Sequence, residues 1–352
     1  MILIIGAGLS GLLTAYRLKT AGIPFKILEA RSRIGGRIHT IQGLTPTPVE
    51  MGATWFNEVH QNLIHLLDEL ELESFEQYMN GTVLFQPAAN SVAQSIQMPL
   101  QSPSYRITGG SSQLIDALFA KLDPEDVLLN KTATKISFGE DTVTVFANEA
   151  FEGKQVVLAL PPKLWAKKIT FEPDLPEELR AIAEETQTWM EDSIKAAVTY
   201  EAPFWQQENQ SGALFSNSGP MTELYDHCNR ERSTYALCGF MNTSYKTLNT
   251  EERKQAVVNQ LCTVFGSKAT EFTDYYECIW GQEEYTFTPA DSLLFPHQNN
   301  GHPAFSKTYC NEKLIISSAE SAREFAGYMD GAVWVGNSVA EKIINAKRNL
   351  EV

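Results

Sequence analysis

The first thirty residues contain short apolar runs on either side of a glycine-rich turn. Residues 2–5 are all apolar, residues 6–11 include three glycines, and residues 12–18 place apolar side chains at helical spacing. The Gly-Ile-Pro sequence at 22–24 ends that helix, and residues 25–29 predict a second strand. A strand, a glycine turn, a helix and a second strand form the βαβ unit of a doubly wound parallel sheet. We therefore predict an α/β fold with a Rossmann-like domain.

The rest of the chain predicts further helices and strands. Helical spacing of apolar residues predicts helices at 63–72, 112–122, 176–187 and 251–265. Alternating or unbroken apolar runs predict a hairpin at 127–147, a buried strand at 155–160 and a strand at 193–200. Residues 80–104 have little pattern and several prolines, which indicates a linker or a small insertion. Residues 314–352 predict a strand, a turn and a closing helix, so the dinucleotide-binding domain is expected to be discontinuous.

The charge balance is strongly acidic. The 352 residues include 28 Lys and Arg and 43 Asp and Glu, which gives a formal net charge of −15. Nucleic acid and anionic membranes have the same sign of charge, so neither is an expected partner. The negative charge would weakly attract cations, amines included. The alternative interpretation is that the charge serves solubility alone. The length is typical of about two domains.

Cysteine and histidine spacing offers no metal or disulfide motif. The five cysteines are Cys228, Cys238, Cys262, Cys278 and Cys310. They are scattered and form no CxxC pair, which argues against a disulfide framework and a zinc site. The first residues run directly into the glycine turn, so we expect no signal peptide, and no apolar stretch is long enough to span a bilayer. We predict a reduced, cytoplasmic protein without a bound metal.

The glycine turn has the chemistry of a dinucleotide site. Gly6 permits a tight turn after the strand, Gly8 lets the backbone approach a pyrophosphate, and Gly11 lets the helix pack closely on the sheet. The helix N-terminus offers free N–H groups to phosphate. Glu29, at the end of the second strand, can accept a hydrogen bond from a ribose hydroxyl. The alternative is a glycine turn without a ligand, and the motif alone leaves both NAD and FAD open.

A second glycine and arginine segment follows Glu29. Gly35 and Gly36 would let the backbone come close to a ligand, and Arg31 and Arg37 would supply positive charge to phosphates. A plain NAD dehydrogenase is not expected to contain such a segment.

At these residues the chain resembles the flavin-containing amine oxidase family, which includes monoamine oxidases, polyamine oxidases and histone lysine demethylases. Other segments resemble further family motifs in the family's order: 50–55, 109–114, 156–162, 193–205, 280–285 and 320–332. The similarity extends along the whole chain.

The resemblance implies an FAD-binding domain formed by residues 1–80, 105–164 and 283–352. It implies a sheet-based substrate domain formed by residues 81–104 and 165–282. The cofactor-binding residues that it implies are Gly6, Gly8, Gly11, Glu29, Ala30, Arg31, Gly35, Gly36, Arg37, Gly52, Ala53, Thr54, Ala133, Glu320, Tyr328 and Met329. In covalent members a cysteine binds the flavin, and the matching stretch 285–290 has none, so non-covalent FAD is expected.

The resemblance also implies a reaction. A hydride would pass from the carbon next to an amine to flavin N5, the imine would hydrolyse, and O2 would reoxidise the flavin to give H2O2. Lys195 would hold a water against N5, and Tyr328 and Trp280 would wall the substrate space. From the alternating pattern alone, Lys195 would be a solvated lysine on a polar strand face, and the two aromatic residues would be core residues.

Two departures from the family bear on the substrate. In monoamine oxidases two aromatic rings flank the amine. Tyr328 matches one of these rings, but the position of the second ring falls near Ala290. A second ring would therefore have to come from Phe287, Phe295 or Trp189. The long helical insertion that caps the family's substrate tunnel is reduced to a short stretch near 81–104. The site would then be open to a bulky amine or completed by a partner chain.

Two alternatives to an amine oxidase follow from the same residues. One is a flavin oxidoreductase acting on another donor, such as a dihydronicotinamide. The other is a flavin-binding partner subunit without turnover.

Overall fold

The structure is a computed structural model that describes residues 1–42, 47–88, 91–97, 102–291 and 293–350. Its helices are α1 (Leu9–Thr20), α2 (Gln61–Glu69), α3 (Ser112–Ala120), α4 (Pro162–Lys168), α5 (Glu177–Glu184), α6 (Phe204–Gln207), α7 (Thr250–Phe265) and α8 (Met329–Leu350). Across the parts of the chain described, no helix is long and apolar enough to cross a bilayer.

The strands up to residue 158 are β1 (Ile2–Ile5), β2 (Phe25–Leu28), β3 (Thr40–Gln42), β4 (Pro48–Glu50), β5 (Ser74–Glu76), β6 (Thr82–Gln86), β7 (Gln94–Ile96), β8 (Tyr105–Ile107), β9 (Val127–Leu128), β10 (Lys135–Phe138), β11 (Val143–Ala147), β12 (Glu149–Gly153) and β13 (Gln155–Leu158). The strands that follow are β14 (Thr170–Glu172), β15 (Ile194–Tyr200), β16 (Gln210–Ser216), β17 (Met221–Asp226), β18 (Tyr235–Met241), β19 (Phe272–Ile279), β20 (Thr308–Tyr309) and β21 (Leu314–Ile316).

A six-stranded sheet in the order β20-β21-β13-β1-β2-β9 is the centre of the first layer. The five strands from β21 to β9 run parallel, and only the edge strand β20 is antiparallel. Strand β1 is a fully buried apolar run, and β13 is apolar and buried after its first residue, Gln155, as is typical of parallel strands covered on both faces. Helices α1, α3 and α8 share one hydrophobic cluster with this sheet. The predicted α/β fold with a Rossmann-like domain is confirmed.

A seven-stranded sheet in the order β19-β15-β18-β17-β16-β6-β7 forms the second large layer. Its neighbours are antiparallel except for β16 and β6. Two of its strands, β6 and β7, come from the segment 80–104, for which the sequence left a linker or a small insertion open. The linker is wrong for the residues of these two strands. Positions 89–90 and 98–101 of that segment lie outside the described residues. The division of the chain into two domains stays a prediction.

The predicted hairpin at 127–147 is only partly correct. Strands β10 and β11 do pair antiparallel and belong to a four-stranded sheet, β12-β11-β10-β14. However, β9 pairs in parallel with β2 in the other sheet. Alternation shows that a strand is half-buried and does not show which sheet it joins.

Strand β15 is buried along its whole length, so the alternative drawn from the alternating pattern alone, a solvated lysine on a polar face, is wrong. One face packs into an apolar cluster with α7. The other face is covered by the segment that includes Val49 and Met51, which packs on Ala197. Because a separate segment covers the second face, the alternation along β15 does not report its exposure.

Candidate active site

The parallel strands of the six-stranded sheet all end at one cavity of about 300 Å³. Much of its wall comes from the loops that follow these strands, within residues 6–10, 29–38, 131–134, 159–161 and 318–319. Strand β1 lies between β2 and β13, so the chain leaves β1 in one direction and returns on its other side. Ligands of open α/β sheets bind at such a switch point, beyond the carboxyl ends of the strands.

The glycine turn leaves space where a ligand would lie and is tight where the helix packs. A Cβ atom on Gly11 would lie 2.1 Å from the carbonyl oxygen of Gly6, so only glycine lets α1 approach the sheet this closely. A Cβ atom on Gly8 would meet no atom within 4 Å. Gly8 caps α1 without any side-chain hydrogen bond, and the first turn of α1 contains no acidic residue. The helix N-terminus is therefore available to an anion from the cavity.

Glu29 is a buried carboxylate in the cavity wall and is 4% exposed. Its two oxygens accept hydrogen bonds from the backbone N–H groups of Ala7 (2.8 Å) and Arg31 (2.9 Å). These bonds hold the carboxylate at the end of β2, where each oxygen keeps a lone pair for a hydroxyl donor. The Arg31 guanidinium is paired with Glu283 at 3.1 Å, so its charge is partly neutralised inside the protein.

Arg37 and Glu320 form a bidentate ion pair at the cavity wall. The two N–O distances are 2.5 and 3.0 Å, and the Glu320 side chain has no exposed surface. Arg37 lines the cavity, whereas Glu320 lies behind it and also accepts the backbone N–H of Trp189 at 3.4 Å. Glu320 thus orients the Arg37 guanidinium, which faces the cavity, and links Arg37 to the C-terminal segment.

The predicted cofactor residues divide into two groups. Those that line the cavity are Gly6, Gly8, Glu29, Ala30, Arg31, Gly35, Gly36, Arg37, Ala53, Ala133, Tyr328 and Met329. Those that lie outside its wall are Gly11, Gly52, Thr54 and Glu320. The second group packs behind members of the first.

Two polar atoms in the wall lack any partner in the described structure. Trp165 Nε1 and Ser318 Oγ are buried without a hydrogen bond, and both residues line the cavity. Buried polar groups are almost always paired, so these atoms indicate a polar ligand. Sequence reasoning missed both. Ser318 follows β21, so the rule that ligands bind at carboxyl strand ends was the available signal for it.

Lys195 is almost fully buried behind the cavity, at 1% exposure. Its ammonium donates to the carbonyl oxygen of Gly52 at 2.6 Å and to Thr54 Oγ1. It also lies 4.7 Å from the ring of Trp55. Burial lowers the pKa of Lys195. Gly52 and Thr54 flank Ala53, a wall residue, so the lysine holds the segment that forms this part of the wall.

Two further buried side chains support the same segment. Trp280 is 4% exposed and donates its indole N–H to the carbonyl of Met51 at 2.7 Å, and it does not line the cavity. Glu50 accepts hydrogen bonds from Thr40 Oγ1 at 2.9 Å and from the backbone N–H of Ser111. Burial raises the pKa of Glu50, and the nearby Lys195 charge opposes that rise. Sequence reasoning missed Glu50 as part of this buried group.

Tyr328 lines the cavity at the start of α8 and has aromatic neighbours. The ring of Trp189 lies 5.5 Å from that of Tyr328, and His297 stacks on Trp189 at 4.1 Å. Phe295 is 69% exposed, and the ring of Phe287 lies 5.7 Å from the ammonium of Lys163. Of Phe287, Phe295 and Trp189, the three candidates for the second aromatic ring, only the Trp189 ring contacts the Tyr328 ring in the part of the chain described.

Comparison with protein families gives a match over most of the chain. The family model for flavin-containing amine oxidoreductases matches residues 9–100 and 90–344. The chain is 23% identical to a probable flavin-containing monoamine oxidase A of Dictyostelium discoideum, over 98% of both chains. It is also 23% identical to a putrescine oxidase of Kocuria rosea, over 98% of this chain and 95% of the relative.

Solved structures share the fold. A putrescine oxidase bound to putrescine superimposes with a TM-score of 0.85 at 24% identity, covering 98% of each chain. A cyclohexylamine oxidase from Brevibacterium oxydans superimposes with a TM-score of 0.86 at 20% identity, covering 99% of each chain.

The chain is shorter than the relatives that it spans. The alignment with the Dictyostelium protein extends over 460 positions, and 98% of this chain amounts to about 345 residues, so about 115 positions have no residue of this chain. The family match falls into two segments that meet at 90–100.

Proposed function

The chain belongs to the family of flavin-containing amine oxidoreductases and is an enzyme of that flavin-dependent class, and on this premise we propose that it oxidises a small-molecule amine at the carbon next to nitrogen. In the proposed overall reaction, a primary amine, O2 and water become a carbonyl compound, ammonia and H2O2. The C–H bond next to nitrogen supplies the two electrons, nitrogen loses a proton, and the electrons end on O2. Water then hydrolyses the imine and releases ammonia.

FAD is the cofactor of this proposal, and the residues present fit it. Gly8 and the N-terminus of α1 would face the diphosphate, and Glu29 would accept a ribose hydroxyl. The unpartnered Ser318 Oγ and Trp165 Nε1 offer further polar contacts. None of the five cysteines lines the cavity, which supports non-covalent binding.

The proposed roles of the chain's residues follow from their positions. When bound, the flavin supplies the two-electron acceptor for the hydride that leaves the amine's carbon. Tyr328 and Trp189 offer ring faces that orient an amine. Lys195, with its lowered pKa, can hold a water or release a proton at Nζ beside the Gly52–Thr54 segment. Trp280 keeps that segment in place.

The main support for this proposal is the burial of Lys195 against the cavity wall. A lysine that served only solubility would lie at the surface, because burying an unpaired ammonium is costly. Here two oxygens and an aromatic ring surround the ammonium, and both oxygens belong to the segment that contains the wall residue Ala53.

Replacement of Gly8 by alanine tests the cofactor's placement. The backbone at Gly8 has φ −78°, which alanine adopts freely, and its Cβ atom would enter open space in the cavity. We expect unchanged urea denaturation of the FAD-free protein and about 10- to 100-fold weaker FAD binding, by titration of flavin fluorescence. Gly139→Ala, in an ordinary surface turn, is the control. Wild-type FAD affinity in Gly8→Ala would contradict this placement.

Anaerobic flavin reduction tests the function. The FAD-loaded protein is mixed with amines and, separately, with dihydronicotinamides, and the visible flavin band is followed. We expect amines to bleach the band, and admission of air to restore it with one H2O2 per cycle. Bleaching by a dihydronicotinamide alone would replace the proposal with the non-amine alternative. A stable band with every donor would favour a subunit without turnover.

A further inference from the structure

A second cavity, of about 10 Å³, lies among buried ionisable side chains, and we call it the small cavity. Glu50 at the end of β4, Arg106 of β8 and His227 just after β17 line it. None of the residues that line the small cavity lines the cavity of about 300 Å³. Its volume is about that needed to hold one water molecule.

Arg106 is a buried cation without an ion-pair partner among the described residues. It is 6% exposed, and its Nη2 donates to the carbonyl oxygen of Cys228 at 2.6 Å, whereas its Nε has no hydrogen-bond partner in that part of the chain. A guanidinium stays charged in proteins, so this charge has to be balanced through space. The nearby Asp226 already pairs with Arg232 at 3.1 Å. Glu50 is therefore the carboxylate left to balance Arg106 across the small cavity.

Glu50 is arranged as an acceptor beside the same small cavity. It is 3% exposed, and its two oxygens accept hydrogen bonds from Thr40 Oγ1 and from the backbone N–H of Ser111. Such hydrogen bonds and a nearby cation both favour the charged form of a carboxyl group, in opposition to burial. One water in the small cavity would accept from Arg106 Nε–H and donate to Glu50, which would bridge the two charges. Glu50 and Arg106 therefore face each other as opposite charges.

Lys195 is the third buried charge near the small cavity. Its Nζ donates to the carbonyl oxygen of Gly52, two residues after Glu50. The Cys238 thiol, on a strand paired with β15, donates to the Glu50 carbonyl oxygen at 3.4 Å. No ion pair among the described residues joins Lys195 to Glu50, so their charges interact through the protein interior, where low polarity strengthens the interaction. Burial lowers the pKa of Lys195; the Glu50 charge opposes this fall, and the Arg106 charge adds to it.

The other titratable groups around Lys195 are uncharged near neutral pH. Burial raises the pKa of the Cys278 thiol to about 12, and burial also raises the pKa of the Cys238 thiol. Burial lowers the pKa of His227 well below its ordinary value. Among the described groups that face Lys195, the charged ones are therefore the carboxylate and the guanidinium of the small cavity.

We propose that Glu50 and Arg106 are positioning residues that act on Lys195 in opposite directions: the Glu50 carboxylate favours the Lys195 ammonium, and the Arg106 guanidinium favours its neutral amine. The meaning of this for catalysis rests on the proposed function, in which Nζ holds a water or exchanges a proton. When Lys195 is neutral, Glu50 and Arg106 balance each other. When it gains a proton, the carboxylate offsets part of the added charge, so neither state leaves a buried charge without an opposite one.

Direct titration of Lys195 tests the inference without requiring turnover. The oxidised holoprotein is labelled with carbon-13 at lysine Cε, and the Lys195 NMR signal is the one that Lys195→Met lacks. We expect Glu50→Gln to lower the pH midpoint of this signal by about one pH unit, because a charge that stabilises the ammonium is lost. Arg106→Met should raise the midpoint by about one pH unit, because a charge that repels the ammonium is lost.

Charge-conserving variants separate the effect of charge from that of shape. Glu50→Asp and Arg106→Lys should keep the wild-type midpoint, as should Glu201→Gln, which removes an exposed acid just after β15. Unchanged midpoints in Glu50→Gln and Arg106→Met, or shifts of the same sign in both, would overturn the inference. If one of these two variants does not fold, the direction of the shift in the other decides.

The rate of flavin reduction separates this inference from the proposed function. With saturating benzylamine, we expect the pH midpoint of the reduction rate to move with the NMR midpoint in each variant. Shifted NMR midpoints with an unshifted rate midpoint would overturn the positioning role. Shifted NMR midpoints without flavin reduction by any amine would support the action of the two charges on Lys195 while refuting the proposed amine oxidation.

Discussion

Replacement of Lys195 by methionine is expected to slow flavin reduction by amines by about 10²- to 10⁴-fold, the usual contribution of a positioned proton-transfer group. Methionine has nearly the same length and fills the same buried space, and the Trp280 indole N–H still donates to the carbonyl of Met51, so the wall segment keeps an anchor of its own. Without the ammonium, that segment loses its donor, and no group remains there to hold a water or exchange a proton. The measurement is stopped-flow reduction under saturating amine.

The pH profile provides a second measure of the same group. Burial lowers the pKa of Lys195, so the wild-type reduction rate should titrate below the ordinary lysine value of 10.5. That ionisation should be missing from the profile of Lys195→Met. Lys154→Met, which removes an exposed lysine, is the control and should leave rate and profile unchanged. A Lys195→Met protein with the wild-type rate would remove Lys195 from the mechanism.

Replacement of Arg37 by methionine is expected to lower the free energy of unfolding by about 3–5 kcal/mol. The cause is Glu320, whose side chain has no exposed surface and would be left as a buried charge without its partner. The variant should also bind FAD more weakly, since it removes a cation from the cavity wall. Urea denaturation of the FAD-free protein measures the loss of folding free energy separately from the loss of FAD affinity.

A double variant separates the ion pair from other effects of the substitution. Arg37→Met with Glu320→Gln removes both charges, keeps a side-chain oxygen to accept the Trp189 N–H, and should recover at least half of the lost stability. Arg17→Met breaks a half-exposed ion pair with Glu69 and should cost only about 0–1 kcal/mol. If Arg37→Met were no more harmful than Arg17→Met, Glu320 would not depend on this pair.

The cofactor cavity was largely predictable because its motifs are continuous in the chain. Gly6, Gly8 and Glu29 lie within one βαβ unit, whose geometry is set by neighbouring residues. All three line the cavity, as does Ala133 from a distant loop. The roles of these residues toward FAD stay a prediction, whereas the flavin family follows from the matching model.

Other features depended on contacts between distant segments. The pattern of β15 suggested a solvated lysine, because alternation reports a sheet face and not what covers it. Strand β9 joined the parallel sheet instead of the hairpin, and β6 and β7 formed in a stretch without clear pattern. Short strands gain their stability from the strands that they pair with. Their own residues therefore contain little information from which the strand could be predicted.

The sequence by itself determined the parallel α/β fold, the glycine turn with its acidic partner, and the family to which the chain belongs. These properties depend on the order and spacing of nearby residues, which local backbone geometry converts directly into structure. Only the tertiary structure decided that Lys195 is buried against Gly52 and Thr54 and that Glu320 pairs with Arg37. Those contacts join residues that are far apart in the chain. They depend on packing and on strand register, which no local sequence pattern specifies.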